Sequence, residues 1–210
     1  MSENVLGADN QQATLVRNIR GASETIRQAP LSKIEILAYL NGALHDASLN
    51  KGRRIRFAQK EVEWLKMLRK LLKIIGYNSW IYKEGKNRNV SILETLCPEL
   101  DFELHPLTLS TIAEQIAYLR GFFDAEGGIP HNEGKFYIQL VQKNYEKIVA
   151  IKTILHGLGI HCGKVHNPSR KVDPDYWRIF VSVQDHLRFA QIIFSWHPIK
   201  ANIFRLRMKI

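Results

Sequence analysis

The stretch Leu119-Arg120-Gly121-Phe122-Phe123-Asp124-Ala125-Glu126-Gly127-Gly128 decides how this chain is read. It is an apolar helical run that ends in an acid and then two glycines, a helix-stop signal. The segment leading into it, Ala117-Tyr118-Leu119-Arg120-Gly121, has an earlier counterpart. That counterpart is Ala38-Tyr39-Leu40-Asn41-Gly42, at an offset of 79. In both copies a small residue recurs four positions on, Ala38 with Gly42 and Ala117 with Gly121. Residues four apart share one helical face, and small ones there let two helices approach closely. The pattern predicts two motif helices crossing at a pseudo-twofold axis.

The repeat extends beyond these helices. Phe57-Ala58-Gln59-Lys60 returns as Leu140-Val141-Gln142-Lys143, and Gly76 returns as Gly159, both at an offset of 83. Each copy reads as helix, strand, strand, helix, strand, strand, helix. In the first copy, helices are predicted over 33–46 and 61–75 and strands over 54–59, 80–82 and 89–93. In the second, strands are predicted over 135–141, 160–166 and 176–183 and helices over 144–158 and 185–196. The predicted division is a polar N-terminal extension at 1–32, a first repeat at 33–96 and a linker at 97–110. A second repeat follows at 111–200, then a tail at 201–210. Side chains alternate faces along a strand. The offset of 83 therefore sets Ile55 over Ile138 and Phe57 over Leu140 on a buried face. It sets Arg54, Arg56 and Lys60 over Tyr137, Gln139 and Lys143 on a polar one.

Composition narrows the function. The 210 residues are 45% hydrophobic and 24% charged, the profile of an ordinary globular protein. Two cysteines, Cys97 and Cys162, exclude a disulfide scaffold and fit an intracellular, reducing compartment. No apolar run is long enough for a membrane span. The polar start lacks the apolar core of a signal peptide. Thirty Lys and Arg against twenty Asp and Glu give a formal charge of +10, which points to a polyanion partner. Residues 51–88 hold twelve basic and three acidic residues, a net of +9. Lys66 to Lys73 fit a solvated helix face, whereas the run from Arg53 to Lys60 fits phosphate contact. His156, His161, His166 and Cys162 lack zinc-site spacing, and no nucleotide loop or nucleophile-elbow motif occurs. The four tryptophans are expected in the core.

The two motifs and their surroundings resemble the LAGLIDADG homing endonucleases in their single-chain, two-repeat form. Leu119 to Gly127 matches the nine-residue signature, with Glu126 for its last Asp, and Leu40 to Ser48 is a degenerate match. The resemblance spans about residues 33–200. It implies an α+β fold of two pseudo-symmetric αββαββα repeats. Each would carry a four-stranded antiparallel sheet, the two forming a DNA-binding saddle. It implies magnesium-dependent, site-specific cleavage of double-stranded DNA by a monomer. The metal site falls on Glu126, Ala125 beside it and Asp46, and the accompanying polar residues on Gln59, Lys60, Gln142 and Lys143. Metal ions activate water and stabilise a leaving oxygen. DNA contacts fall to Lys51, Arg53, Arg54, Arg56, Lys83, Lys86, Arg88, Lys135, Tyr137, Gln139, Lys164, Arg170, Lys171 and Arg178.

One position departs from the signature. Glu126 lies five residues after Gly121, but five residues after Gly42 stands Ala47, and Asp46 is one short. Three explanations stay open: loss of the acid by substitution, local unwinding that lets Asp46 act, or a chain that no longer cleaves. The last would leave an RNA maturase assisting intron splicing or a DNA-binding regulator.

Overall fold

A computed structural model describes residues 31–210 apart from 86, 87, 132 and 133. The N-terminal extension therefore lies almost wholly outside the described residues, as does Lys86. The first half runs α1 (Lys33–Ala43), a 3-10 turn (Leu44–Asp46), β1 (Ala47–Asn50), β2 (Arg54–Gln59), α2 (Val62–Ile74), β3 (Ser79–Lys83) and β4 (Ser91–Thr95). The second runs α3 (Ile112–Glu126), β5 (Gly127–Gly128), β6 (Gln139–Gln142), α4 (Tyr145–Gly157), β7 (Trp177–Phe180), α5 (His186–Ile192) and α6 (Pro198–Met208).

The first sheet is antiparallel in the order β1-β2-β4-β3. Among the described residues the second has three strands, β5-β6-β7. The strand predicted over 160–166 is reduced to two bridges against the β7 edge, Cys162 with Val181 and His166 with Arg178. Gly163 has no side chain to pack, which weakens strand pairing there. The first copy also lacks the expected closing helix; its only helical turn before α3 is the short Pro106–Thr108. Conversely, α6 occupies most of the predicted tail.

Local chemistry explains the shared elements. α2 buries Trp64, Leu65, Leu68, Leu71 and Leu72 on one stripe and exposes Lys66, Arg69, Lys70 and Lys73, the spacing of a surface helix. Its end is a Schellman motif. Tyr77 N–H donates to Leu72 O (2.8 Å), Gly76 N–H donates to Lys73 O (3.1 Å), and Gly76 sits at φ +90°. α4 ends the same way: Ile160 N–H to Leu155 O (2.8 Å), Gly159 N–H to His156 O (2.9 Å), with Gly159 at φ +69°. The repeated glycines thus serve one task, reversing the chain in the left-handed region. α3 opens with a capping box between Thr111 and Glu114.

Strand parity follows the prediction. Ile55, Phe57, Ile138, Leu140 and Ile179 are buried under α2 and α4, while Arg54 and Arg56 face outward. Of the tryptophans, only Trp64 is wholly buried. Trp80 instead lies on the outward face of the first sheet, with the Arg54 guanidinium 5.7 Å from its ring.

Candidate functional site

The site is built by the crossing of α1 and α3. A Cβ on Gly42 would overlap the Tyr118 carbonyl oxygen and stand 2.7 Å from Phe122 N. A Cβ on Gly121 would overlap the Tyr39 carbonyl oxygen and stand 2.9 Å from Ala43 N. The two contact sets are related by the same offset of 79, so the crossing is symmetric to the residue. Only glycine lets the two backbones touch here. Both helices are buried over their later turns, with polar Asn41, Arg120 and Asp124 enclosed among the apolar residues, and both end at one place.

There the copies differ by one residue. Tyr118 OH meets His45 Nε2 at 2.9 Å, and Tyr39 OH donates to Asp124 Oδ2 at 2.6 Å. His45 and Asp124 therefore hold matching positions. The strands restart in register: Ala47 pairs with Phe57, and Gly127 pairs with Leu140. Ala47 thus corresponds to Gly127, and Asp46 to Glu126. The residue without a counterpart is Ala125. The reason lies in helix pitch. Leu44–Asp46 is a 3-10 turn, rising about 2.0 Å per residue, whereas α-helix rises about 1.5 Å. Three residues of one span the same ~6 Å as four of the other. Ala47 is no vacated acid position, and the local tightening of the helix delivers Asp46 to the end of α1.

Asp46 and Glu126 lie close enough that the Asp46 charge raises the Glu126 pKa, after burial, the larger cause. Burial pushes Asp46 up to about 6, although the Gln59 amide, donating to Asp46 Oδ2, and Lys200 pull the other way. Two negative helix ends add to this potential. The compensating charges are Lys143, which acts on Glu126, and Lys200 at the start of α6. Lys200 Nζ donates to Phe123 O (2.7 Å) and Asp124 O (2.8 Å), carbonyls of the last turn of α3. Burial lowers it to about 8 against the pull of Asp124, Asp46 and Glu126. Two partly buried carboxylates that resist ionising together suit a hard divalent cation with oxygen ligands. Ala125 could offer only its main-chain carbonyl.

The remaining predicted residues divide. Gln59 reaches Asp46, but Gln142 turns away from Glu126. Its amide meets His45 Nδ1 (2.7 Å), and its carbonyl accepts from Lys143 N (2.7 Å) and Asn144 N (3.2 Å). Lys60 is exposed past the end of β2. Asp124 is structural, taking hydrogen bonds from Tyr39, Ser195 and Trp196 N. His45 and Lys200 were not anticipated. Burial, helped by Lys147, lowers His45 to about 4, so it is neutral at pH 7. Lys200 carries no sequence signal, since its role depends on α6 docking on α3.

Among predicted DNA contacts, Lys51 and Arg53 are exposed at the β1–β2 turn, where Lys51 (φ 52°) and Gly52 (φ 67°) are left-handed. Arg54 and Arg56 lie on the outward face of the first sheet. Lys83 is exposed at the end of β3, on the opposite strand parity from them. Arg88 is exposed and pairs with Glu84. Gln139 and Arg178 share the outward face of the second sheet, 3.4 Å apart, with Arg178 over the Phe180 ring. Tyr137 stands edge-on to that same ring. Lys135, Lys164, Arg170 and Lys171 are exposed in the flanking segments.

Residues 113–193 match the family profile described as LAGLIDADG-like domain. The homing endonuclease I-ApeI of Aeropyrum pernix is 25% identical over 193 residues, 79% of this chain and 84% of that protein. Residues 113–193 thus carry a LAGLIDADG-like domain. The LAGLIDADG fold is also seen in solved structures. A structure of I-DmoI in complex with DNA and Mn superposes with a TM-score of 0.62 at 21% identity, covering 79% of this chain and 99% of that one. Full-length DUF199/WhiA from Thermatoga maritima superposes with a TM-score of 0.63 at 18% identity, covering 90% and 66% respectively. The α+β architecture with paired antiparallel sheets is the one these structures share.

Proposed function

We propose that this chain is a site-specific, divalent-cation-dependent endonuclease of double-stranded DNA. The observation that carries this reading is the pairing of Asp46 and Glu126 at the ends of two crossed helices. Asp46 and Glu126 would hold magnesium, which supplies an activated water and charge stabilisation at the phosphodiester. Gln59 orients Asp46. Lys143 and Lys200 bring positive charge to a site where a phosphate must sit between two acids. The outward faces of the two sheets, basic in one and mixed polar and aromatic in the other, are the proposed DNA surface. Solved I-DmoI structures with Mn, Mg and Ca support the choice of cation class. The internal pseudo-twofold supports a monomer, and two free cysteines support an intracellular, reducing compartment.

The test is incubation with a library of duplex sites in Mg2+, reading cleaved ends by sequencing. The unaltered chain should cut, and Glu126→Gln should bind the same site with cutting reduced at least a hundredfold. Binding without cutting by the unaltered chain would replace this reading with that of a DNA-binding regulator. Retention of intron RNA in place of duplex DNA would favour the maturase.

A further inference from the structure

The outward face of the first sheet carries an acid where a phosphate-binding surface has least use for one. Glu94, in β4, is 2% exposed although it points to the face that holds Arg54 and Arg56. Register sets it between Arg56 on one side and Trp80 on the other. Its Oε1 accepts from Tyr82 OH at 2.8 Å and lies 3.2 Å from Arg56 Nε and 3.5 Å from Asn50 Nδ2. Its Oε2 lies 3.4 Å from an Arg54 terminal nitrogen. A second acid, Glu84, holds Arg56 from further out at 3.2 Å and Arg88 at 3.2 Å. Three arginines and two glutamates leave this cluster a net charge of only +1. The charge surplus of residues 51–88 therefore overstates how strongly this face attracts phosphate.

Burying a carboxylate is costly unless its oxygens are fully bonded. Burial alone would push Glu94 up. Tyr82, Asn50, Arg54 and Arg56 outweigh it and hold the carboxyl below the usual range. The carboxylate is thus ionised and fixed, and in return it fixes its partners. Each guanidinium has five N–H donors in a rigid fork. Glu84 takes one from Arg56 and Glu94 takes one from Arg54, while the buried Arg56 Nε is held 3.2 Å from Glu94 by charge without a hydrogen bond. The rest remain for a ligand: the Arg54 side chain is 53% exposed and that of Arg56 24%. Trp80 supports Arg54 from below.

Resting on the DNA reading above, we propose that Glu94 is a specificity-determining residue. Lying beneath Arg54 and Arg56, it holds their guanidinia as preorganised forks for guanine edges and keeps them from acting as mobile phosphate contacts. An arginine held in place by an ion pair loses little further side-chain entropy on binding, and a bidentate fork discriminates among bases where a phosphate contact cannot.

The experiment measures binding of the full chain to a duplex selected from a random library and to unselected duplex, in Ca2+, from 50 to 300 mM salt. Glu94→Gln should lower the ratio of selected to unselected affinity roughly tenfold, the scale of one good base contact. It should also steepen the salt slope on unselected duplex by about one, as a freed guanidinium reaches phosphate. Arg56→Lys keeps the charge, loses the fork, and is partly exposed. It should lose discrimination with an unchanged salt slope, and it decides the matter if thermal melts show Glu94→Gln unfolded. Unchanged discrimination in Arg56→Lys, or in a folded Glu94→Gln, overturns the proposal. If the unaltered chain retains no duplex at all, the DNA reading fails first and takes this proposal with it.

Discussion

Replacing Asp46 by asparagine should stabilise the cation-free protein at pH 8. Burial lifts the Asp46 carboxyl from 3.8 to about 6. A carboxyl whose folded pKa lies above its unfolded one favours folding when protonated. That contribution is fully present below about pH 4 and is lost as pH rises through about 6. One pKa unit is about 1.4 kcal/mol, so ionised Asp46 costs the fold up to about 3 kcal/mol at pH 8. Asparagine keeps an oxygen to accept from Gln59 and removes the charge that raises Glu126. The expected gain is about 1–3 kcal/mol, or about 3–10 °C in Tm for a chain of this size. Urea denaturation in EDTA at pH 4, 6 and 8 reads it directly. The advantage should be absent at pH 4, grow through pH 6 and reach its plateau by pH 8. Added Mg2+ should stabilise the unaltered chain and leave Asp46→Asn unmoved. A pH-independent gain, or destabilisation at pH 8, would refute the claim that Asp46 is an ionised, strained member of an acidic pair.

Two further outcomes follow from the same geometry. Gly121→Ala drives a methyl into the Tyr39 carbonyl oxygen and should cost at least about 1–3 kcal/mol, seen as a lowered urea midpoint with an unchanged slope. Burial, with Lys200 and His131, lowers His197 to about 4. Its contribution is present above about pH 6.5 and is lost as pH falls toward 4, so His197→Gln should flatten the acid limb of the stability profile.

The helix crossing and strand parity were legible because they depend on local facts. Glycine four residues after alanine, repeated, leaves a close approach of two backbones as its simplest use, and Ile55 and Phe57 alternate with arginines. The acid of the first copy stayed ambiguous between Asp46 and the Ala47 position because counting from Gly42 assumes a constant rise per residue. Nothing in Leu44-His45-Asp46 announces a 3-10 turn, in which His45 meets Tyr118 of the other helix. Glu94 was hidden for a related reason. In Ser91-Ile92-Leu93-Glu94-Thr95 it reads as an ordinary polar position, and only cross-strand register puts three donors and a second guanidinium around it. The missing fourth strand of the second sheet depends equally on tertiary edges, which periodicity does not record.

The glycine crossing also dictates an order of events. Gly42 and Gly121 are 79 residues apart, and bringing such distant points together costs roughly 4 kcal/mol of chain entropy. Each sheet with its covering helix closes over much shorter loops, so the sheets are expected to form before the two helices dock. Asp46 and Glu126 meet only at docking. Mild destabilisation should therefore separate the acids while both sheets persist, and loss of chemistry would come before loss of ellipticity.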